Sequence, residues 1–180
     1  MSPSPNASAR PFRVLMVCTG NICRSTMAQE VLDEAVSAAG LGVRVGSAGI
    51  SDEEQGRPID ARAARALRDA GHGIPDHRAR RVRAGELGDW DLVLAMTRWH
   101  LASLRRLADR AGVRVEPGAA PGTPGVTDLR LFRAFDPGLR EGDDPDLPDP
   151  WYGTQQDFTR TLRVIERATP GVVAHVREAL

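Results

Sequence analysis

A chain of 180 residues, 41% of them hydrophobic and 27% charged, has enough length for one packed domain and is far from the apolar-poor, highly charged composition of a disordered protein. Its 24 basic residues, every one an Arg, balance 24 acidic ones, so no net field draws in nucleic acid or an anionic membrane and any anion has to be recognised locally. The two cysteines, Cys18 and Cys23, would close too small a loop to staple a scaffold, and no apolar run approaches the length of a membrane span; both point to a cytoplasmic protein with reduced thiols.

Residues 1–11 are polar and rich in Pro and Ser, and are expected to form a flexible tail ahead of a domain over 12–180. Phe12 to Val17 is a short apolar run with strand character. Cys18-Thr19-Gly20-Asn21 then leads into a helical pattern, with Ala28, Val31, Leu32 and Ala35 on one face. Val43 to Val45 suggests a second strand, broken by Gly46 and leading into Ser47-Ala48-Gly49. A helix is expected over Asp60 to Ala70, with Asp60 as its N-cap and Gly71 as its stop. Trp90 to Met96 is the clearest strand, and Thr97 caps a helix from Arg98 to Ala111.

Residues 117–125 consist of Pro, Gly, Ala and Thr and read as a surface loop. Leu129 to Phe135 gives a fourth strand, followed by an acidic, irregular stretch from Asp136 to Pro150. The last long helix runs from Thr154 to Ala168, and Thr169-Pro170-Gly171 breaks it before a final helical stretch to Leu180. The alternation predicts a single α/β domain, a four-stranded parallel sheet with helices on both faces. Ligands of such sheets sit beyond the carboxyl ends of the strands, where the Cys18 loop falls.

That loop, Cys18-Thr19-Gly20-Asn21-Ile22-Cys23-Arg24-Ser25, joins a strand to a helix N-terminus. Converging backbone N–H groups and the helix field suit a phosphate dianion and favour a thiolate at Cys18. Arg24 can meet two phosphate oxygens with its planar fork. Ser25 can donate to the sulfur, and Gly20 and Asn21 tolerate the positive φ that a tight cradle needs. A Cys followed six positions later by Arg is weak by itself in an Arg-rich chain, where Cys18 could be an inert buried thiol; the strand–loop–helix context carries the inference.

Val17 to Ser25 (VCTGNICRS) closely resembles the active-site signature of the low-molecular-weight protein tyrosine phosphatases, with Thr26 where that family usually has Pro. The resemblance continues through Ser47-Ala48-Gly49, Gly71-His72-Gly73-Ile74, His77, Phe135-Asp136-Pro137 and Asp149-Pro150-Trp151-Tyr152-Gly153. It implies hydrolysis of phosphotyrosine in protein or peptide substrates with neither metal nor cofactor. Cys18 would attack phosphorus and form a phosphocysteine, and Arg24 with Thr19, Gly20, Asn21, Ile22, Cys23 and Ser25 would surround the phosphate. Of the three Asp-Pro steps, only Asp149 is followed by an aromatic pair and Gly, so the resemblance gives it the role of general acid and leaves Asp136 and Asp144 as turn residues. Asn21, Ser47 and His77 match a hydrogen-bonded support of the loop, although His77 by itself reads better as a surface or structural histidine, and His72 is read as structural. Cys23 matches a thiol that can form a reversible disulfide with the nucleophile, or is a small buried side chain.

The departure that matters falls at Glu53, where the resemblance calls for an aromatic wall of the substrate cleft. A carboxylate there repels phosphate and stacks on nothing, so either it points away or the substrate carries a basic context. Trp151 and Tyr152 remain as the opposite wall, or as core filler. Arsenate reduction would need further cysteines after Cys23, and there are none. Protein-arginine phosphatases resembling this chain have Thr at the position of Ile22. A non-catalytic phosphopeptide-binding module would not need Cys18, Arg24 and Asp149 together.

Overall fold

A computed structural model describes residues 10–120 and 123–180. Five parallel strands form the sheet in the order β2-β1-β3-β5-β4: β1 (Phe12–Cys18), β2 (Val43–Gly49), β3 (Leu92–Ala95), β4 (Arg114–Val115) and β5 (Val126–Leu131). Four α-helices cover it: α1 (Arg24–Ala38), α2 (Ala61–Asp69), α3 (Arg98–Ala111) and α4 (Gln155–Ala179). Side-chain alternation along the strands divides the core in two. Phe12, Val14, Met16 and Cys18 of β1 join Leu92 and Leu94 of β3 against α1, α2 and α4. Leu15 and Val17 join Val93 and Ala95 against α3 and a short 3-10 helix at Ala84–Asp89. Truncating a side chain such as Leu94, which has no exposed surface, costs about 3 kcal/mol.

The helix signals work as read. The Asp60 carboxylate accepts from the Arg62 N–H at the start of α2, and the Thr97 hydroxyl accepts from the His100 N–H at the start of α3. Gly112 ends α3 at a φ of 68°.

Four expectations need correction. The sheet has a fifth strand, β4, whose two residues are too few to show any periodicity. Gly46 does not break β2, which pairs with β1 as far as Gly49. The fourth apolar run starts as strand β5 at Val126 but turns into a 3-10 helix at Phe132–Phe135. The chain also stays helical through Pro170. Pro170 lies on the exposed face, where water can serve the Glu166 carbonyl it leaves without a donor, while buried Thr169, Val172 and Val176 continue the apolar stripe of Phe158, Leu162 and Ile165. Gly171 is a contact requirement, not a break: a Cβ there would strike the backbone carbonyl of Phe135.

Of the expected tail, residues 1–9 lie outside the described residues. Arg10 is held by Asp91, its two terminal nitrogens each 2.8 Å from a carboxylate oxygen.

The topology positions the site. From β1 the chain passes through α1 to β2 on one side, then through α2 to β3 on the other, so the connections diverge at the carboxyl ends of β1 and β3. A crevice opens at such a switch point, and Cys18 ends β1 there.

Candidate active site

Residues 19–23 link β1 to α1 as a tight loop, and among the described residues no backbone N–H from Thr19 to Cys23 finds an acceptor in the protein. Five donors in succession at a helix N-terminus are the arrangement that binds an oxyanion. Asn21 holds a φ of 60°, the one non-Gly residue in the left-handed region among those described. The second strand closes behind it, with Ile50 N–H donating to Cys18 O at 2.9 Å and Ser51 N–H to Thr19 O at 3.0 Å. Gly49 permits this approach, since a Cβ there would lie 2.5 Å from the Thr19 carbonyl oxygen.

A directional hydrogen-bond chain ends on the sulfur. The Asn21 amide nitrogen can only donate, and it does so to Ser25 Oγ at 3.0 Å and to Ser47 Oγ at 2.9 Å. Ser25 therefore has its own proton free for Cys18 Sγ, 3.0 Å away. Ser47 passes its proton to Gln29 Oε1 at 2.5 Å. The other side of Asn21 is also held: Oδ1 accepts from Arg80 N–H at 3.0 Å, and its backbone oxygen accepts from Thr26 Oγ1 at 3.0 Å and from His77 Nε2 at 2.5 Å. A carbonyl only accepts, so Nε2 of His77 carries the proton. Burial lowers the His77 pKa, with Arg80 adding to the effect, so the ring is neutral. Thr26, the departure from the expected Pro, thus supplies a tie of its own.

Across the crevice, Thr19 Oγ1 is 2.8 Å from His100 Nε2, and His100 Nδ1 is 3.0 Å from Thr97 Oγ1. His100 is buried, and burial together with nearby Arg24 pushes its pKa down to about 3. It is a neutral strut from α3 to the loop. Sequence reading missed it, because only the fold brings α3 to a loop 81 residues away. Gln29, Arg80 and Glu54 were missed as well; nothing in their local pattern distinguishes them from surface residues.

Arg24, 5% exposed, directs one terminal nitrogen to Asp149 Oδ2 at 2.8 Å and the other to Leu147 O at 3.3 Å. The segment that carries Asp149 is anchored on both sides, with Leu147 N–H donating to Met96 O at 2.8 Å and Thr161 Oγ1 to Pro148 O at 3.3 Å. Trp151 N–H holds the second Asp149 oxygen at 3.1 Å.

Cys18, Thr19, Gly20, Ile22, Cys23, Arg24, Glu53, Glu54, Asp149, Trp151 and Tyr152 line one cleft of about 270 Å³. Trp151 packs against the core and under the Arg62 guanidinium, 5.4 Å from its ring centre, whereas Tyr152 is 98% exposed. Glu53 lines the cleft rather than turning away from it, and Glu54 beside it pairs with Arg57 at 2.8 Å. Cys18 and Cys23 are both free thiols, and burial, reinforced by Asp60, pushes the Cys23 pKa far up.

Asp136 and Asp144 lie elsewhere. Buried Asp136 caps the Gly138 N–H and forms an ion pair with the half-exposed Arg167, whose hydrogen bonds bring its pKa down to about 2. Asp144 pairs with Arg98. His72 bridges Glu34 of α1 and Glu166 of α4.

A cysteine at the end of a parallel strand, an arginine at the head of the following helix and a loop of free N–H groups form a site suited to an oxyanion. The family model of low molecular weight phosphotyrosine protein phosphatases matches residues 13–180. A low molecular weight protein-tyrosine-phosphatase of Streptomyces coelicolor is 40% identical over 169 residues, covering 93% of this chain and 94% of that protein. Among solved structures, a low molecular weight phosphotyrosine phosphatase of Vibrio cholerae superposes with a TM-score of 0.75 at 28% identity, over 93% of this chain and 97% of that one. A Drosophila arginine phosphatase superposes with a TM-score of 0.76 at 25% identity, over 91% and 97%. The chain belongs to the low molecular weight protein-tyrosine-phosphatase family, and it is a phosphatase. Among the described residues no helix is long and apolar enough to cross a membrane.

Proposed function

We propose that the chain hydrolyses phosphotyrosine in proteins through a phosphocysteine on Cys18. The observation that carries this reading is the convergence of Cys18, Arg24 and Asp149 on one cleft above a loop of unpaired N–H groups. The Cys18 thiolate attacks phosphorus in line. The bond from phosphorus to the phenolic oxygen breaks, its electron pair leaves with the oxygen, and Asp149 supplies the proton. Arg24 and the loop N–H groups hold the three equatorial oxygens as charge spreads over them. In the second step Asp149 takes a proton from water as the water attacks phosphorus. The sulfur leaves as a thiolate, stabilised by the Ser25 hydroxyl, and inorganic phosphate is released.

The apolar Ile22 and the Trp151–Tyr152 wall favour an aromatic leaving group over phosphoarginine. Glu53 and Glu54 favour basic residues around the phosphotyrosine. Hydrolysis of phosphotyrosine, phosphoarginine and phosphoserine peptides measured side by side tests the substrate class. Phosphotyrosine should be turned over fastest; preference for phosphoarginine would transfer the same machinery to a guanidino substrate.

A further inference from the structure

Behind the phosphate loop, on the outer edge of β2 and away from the cleft, lies a second cavity of about 510 Å³. Arg13, Arg44, Arg78, Arg80 and Arg83 line it, with Asp76, Glu86 and Asp89 as its carboxylates. Arg80 is neutralised by Glu86, which takes its nitrogen with both oxygens at 2.8 and 2.9 Å. The other four guanidinium groups have no ion-pair partner among the described residues, and residues 1–9 and 121–122 contain no carboxylate that could supply one. Four unpaired cations therefore face two carboxylates. Arg13 also has its Nε buried without a hydrogen-bond partner, the one such side-chain atom among the described residues.

Charged side chains on an edge strand can guard it against pairing with another chain. A guard needs no concavity, whereas these four unpartnered arginines line one cavity. We propose that this pocket is a second anion site, which takes a small ligand bearing two or more phosphoryl groups. Guanidinium forks each match two phosphoryl oxygens, and four such forks call for more oxygens than one phosphate carries. Trp90, whose ring covers Gly46 in the pocket wall, offers a flank to a planar group on such a ligand.

The pocket shares its wall with the support of the catalytic loop. Gln29, Ser47, His77 and Arg80 all line it, and the last three bond directly to Asn21. A ligand seated there bears on the residues that hold Asn21 at its positive φ, and through them on Ser25 and Cys18. Occupation of the pocket changes the chemical step.

Binding of pyrophosphate and of ADP, measured by calorimetry with the catalytic loop filled by excess orthovanadate, tests the site without reference to catalysis. One equivalent bound, weakened about tenfold or more by Arg44→Ala/Arg83→Ala, is expected. Failure of both ligands to bind, or binding undiminished in the double variant, overturns the proposal. Tighter binding of ADP, with the margin abolished by Trp90→Leu, assigns the site to nucleotides; equal affinity assigns it to phosphates without a base. Steady-state kinetics test the coupling, because competition at the catalytic loop raises KM alone, whereas the second site is expected to change kcat about twofold or more. An unchanged kcat at saturating ligand overturns the coupling.

Discussion

Asp149 and Arg24 share an ion pair at 2.8 Å across the mouth of the cleft, so the group assigned to proton transfer is also the partner of the group assigned to phosphate. On that assignment a phosphate dianion would compete for the same guanidinium and release Asp149 to face the leaving oxygen. Replacing Asp149 with Asn should lower kcat for aryl phosphates by about a hundredfold to ten-thousandfold. The same change removes Arg24's competing anion, so inhibition by inorganic phosphate should become tighter. Inhibition constants for phosphate in the two proteins check this second effect, which follows from the ion pair, while the loss of kcat checks the proton transfer.

His100 should act as a neutral strut across the physiological range, its pKa having been pushed down to about 3 by burial and by Arg24. Its folded value lies below that of a free imidazole, so it takes up no proton in the native state between pH 5 and 8. His100→Ala leaves the Thr19 hydroxyl without its partner and should cost about 2 kcal/mol in stability, with a fall in kcat. Denaturant unfolding and the pH–rate profile check both points; a new limb near neutrality that vanishes in the variant would contradict the assignment.

Asn21→Ala should be more damaging than its size suggests. It puts an ordinary residue at a φ of 60° and deletes the donor that turns the Ser25 proton toward Cys18. A loss of about 2–3 kcal/mol in stability is expected, together with a fall in kcat rather than a rise in KM. Chemical denaturation and single-turnover kinetics measure the two effects.

Asp136 should govern acid stability and leave catalysis alone. Hydrogen bonds from Arg167 hold its carboxyl at about 2, below the ordinary 3.8, so its contribution is complete above about pH 4 and lost as the pH falls toward 2. Removing this charge with Asp136→Asn should cost about 2 kcal/mol at pH 7, since the half-exposed Arg167 is partly screened by water. The difference from wild type should shrink below pH 4, as thermal unfolding across that range would reveal.

Glu53→Gln should raise kcat/KM for phosphotyrosine peptides with acidic flanks and lower it for those with basic flanks, by about twofold to fivefold at low salt and less at high salt. Paired peptides assayed at two ionic strengths provide the measurement.

What could be read from the sequence was local. Asp60 and Thr97 announced their helices because a cap is a property of one residue and its next turn, and the phosphate loop was legible because its parts are consecutive. The break placed at Pro170 failed because exposure decides whether a missing N–H matters, although the stripe Phe158, Leu162, Ile165, Thr169, Val172, Val176 ran through it unbroken. Two-residue β4 carries no period to detect. His100, Gln29 and Arg80 reach the loop from α3, α1 and the segment after His77, and only the folded topology brings them to Thr19, Ser47 and Asn21.

The phosphocysteine on Cys18 can be trapped by acid quench of the protein during turnover of para-nitrophenyl phosphate, followed by peptide mass analysis. One phosphoryl group is expected on the peptide containing Cys18, more of it when Asp149→Asn slows the hydrolytic step, with neither adduct nor turnover in Cys18→Ser. A phosphoryl group on another residue, or full turnover in Cys18→Ser, would contradict this intermediate.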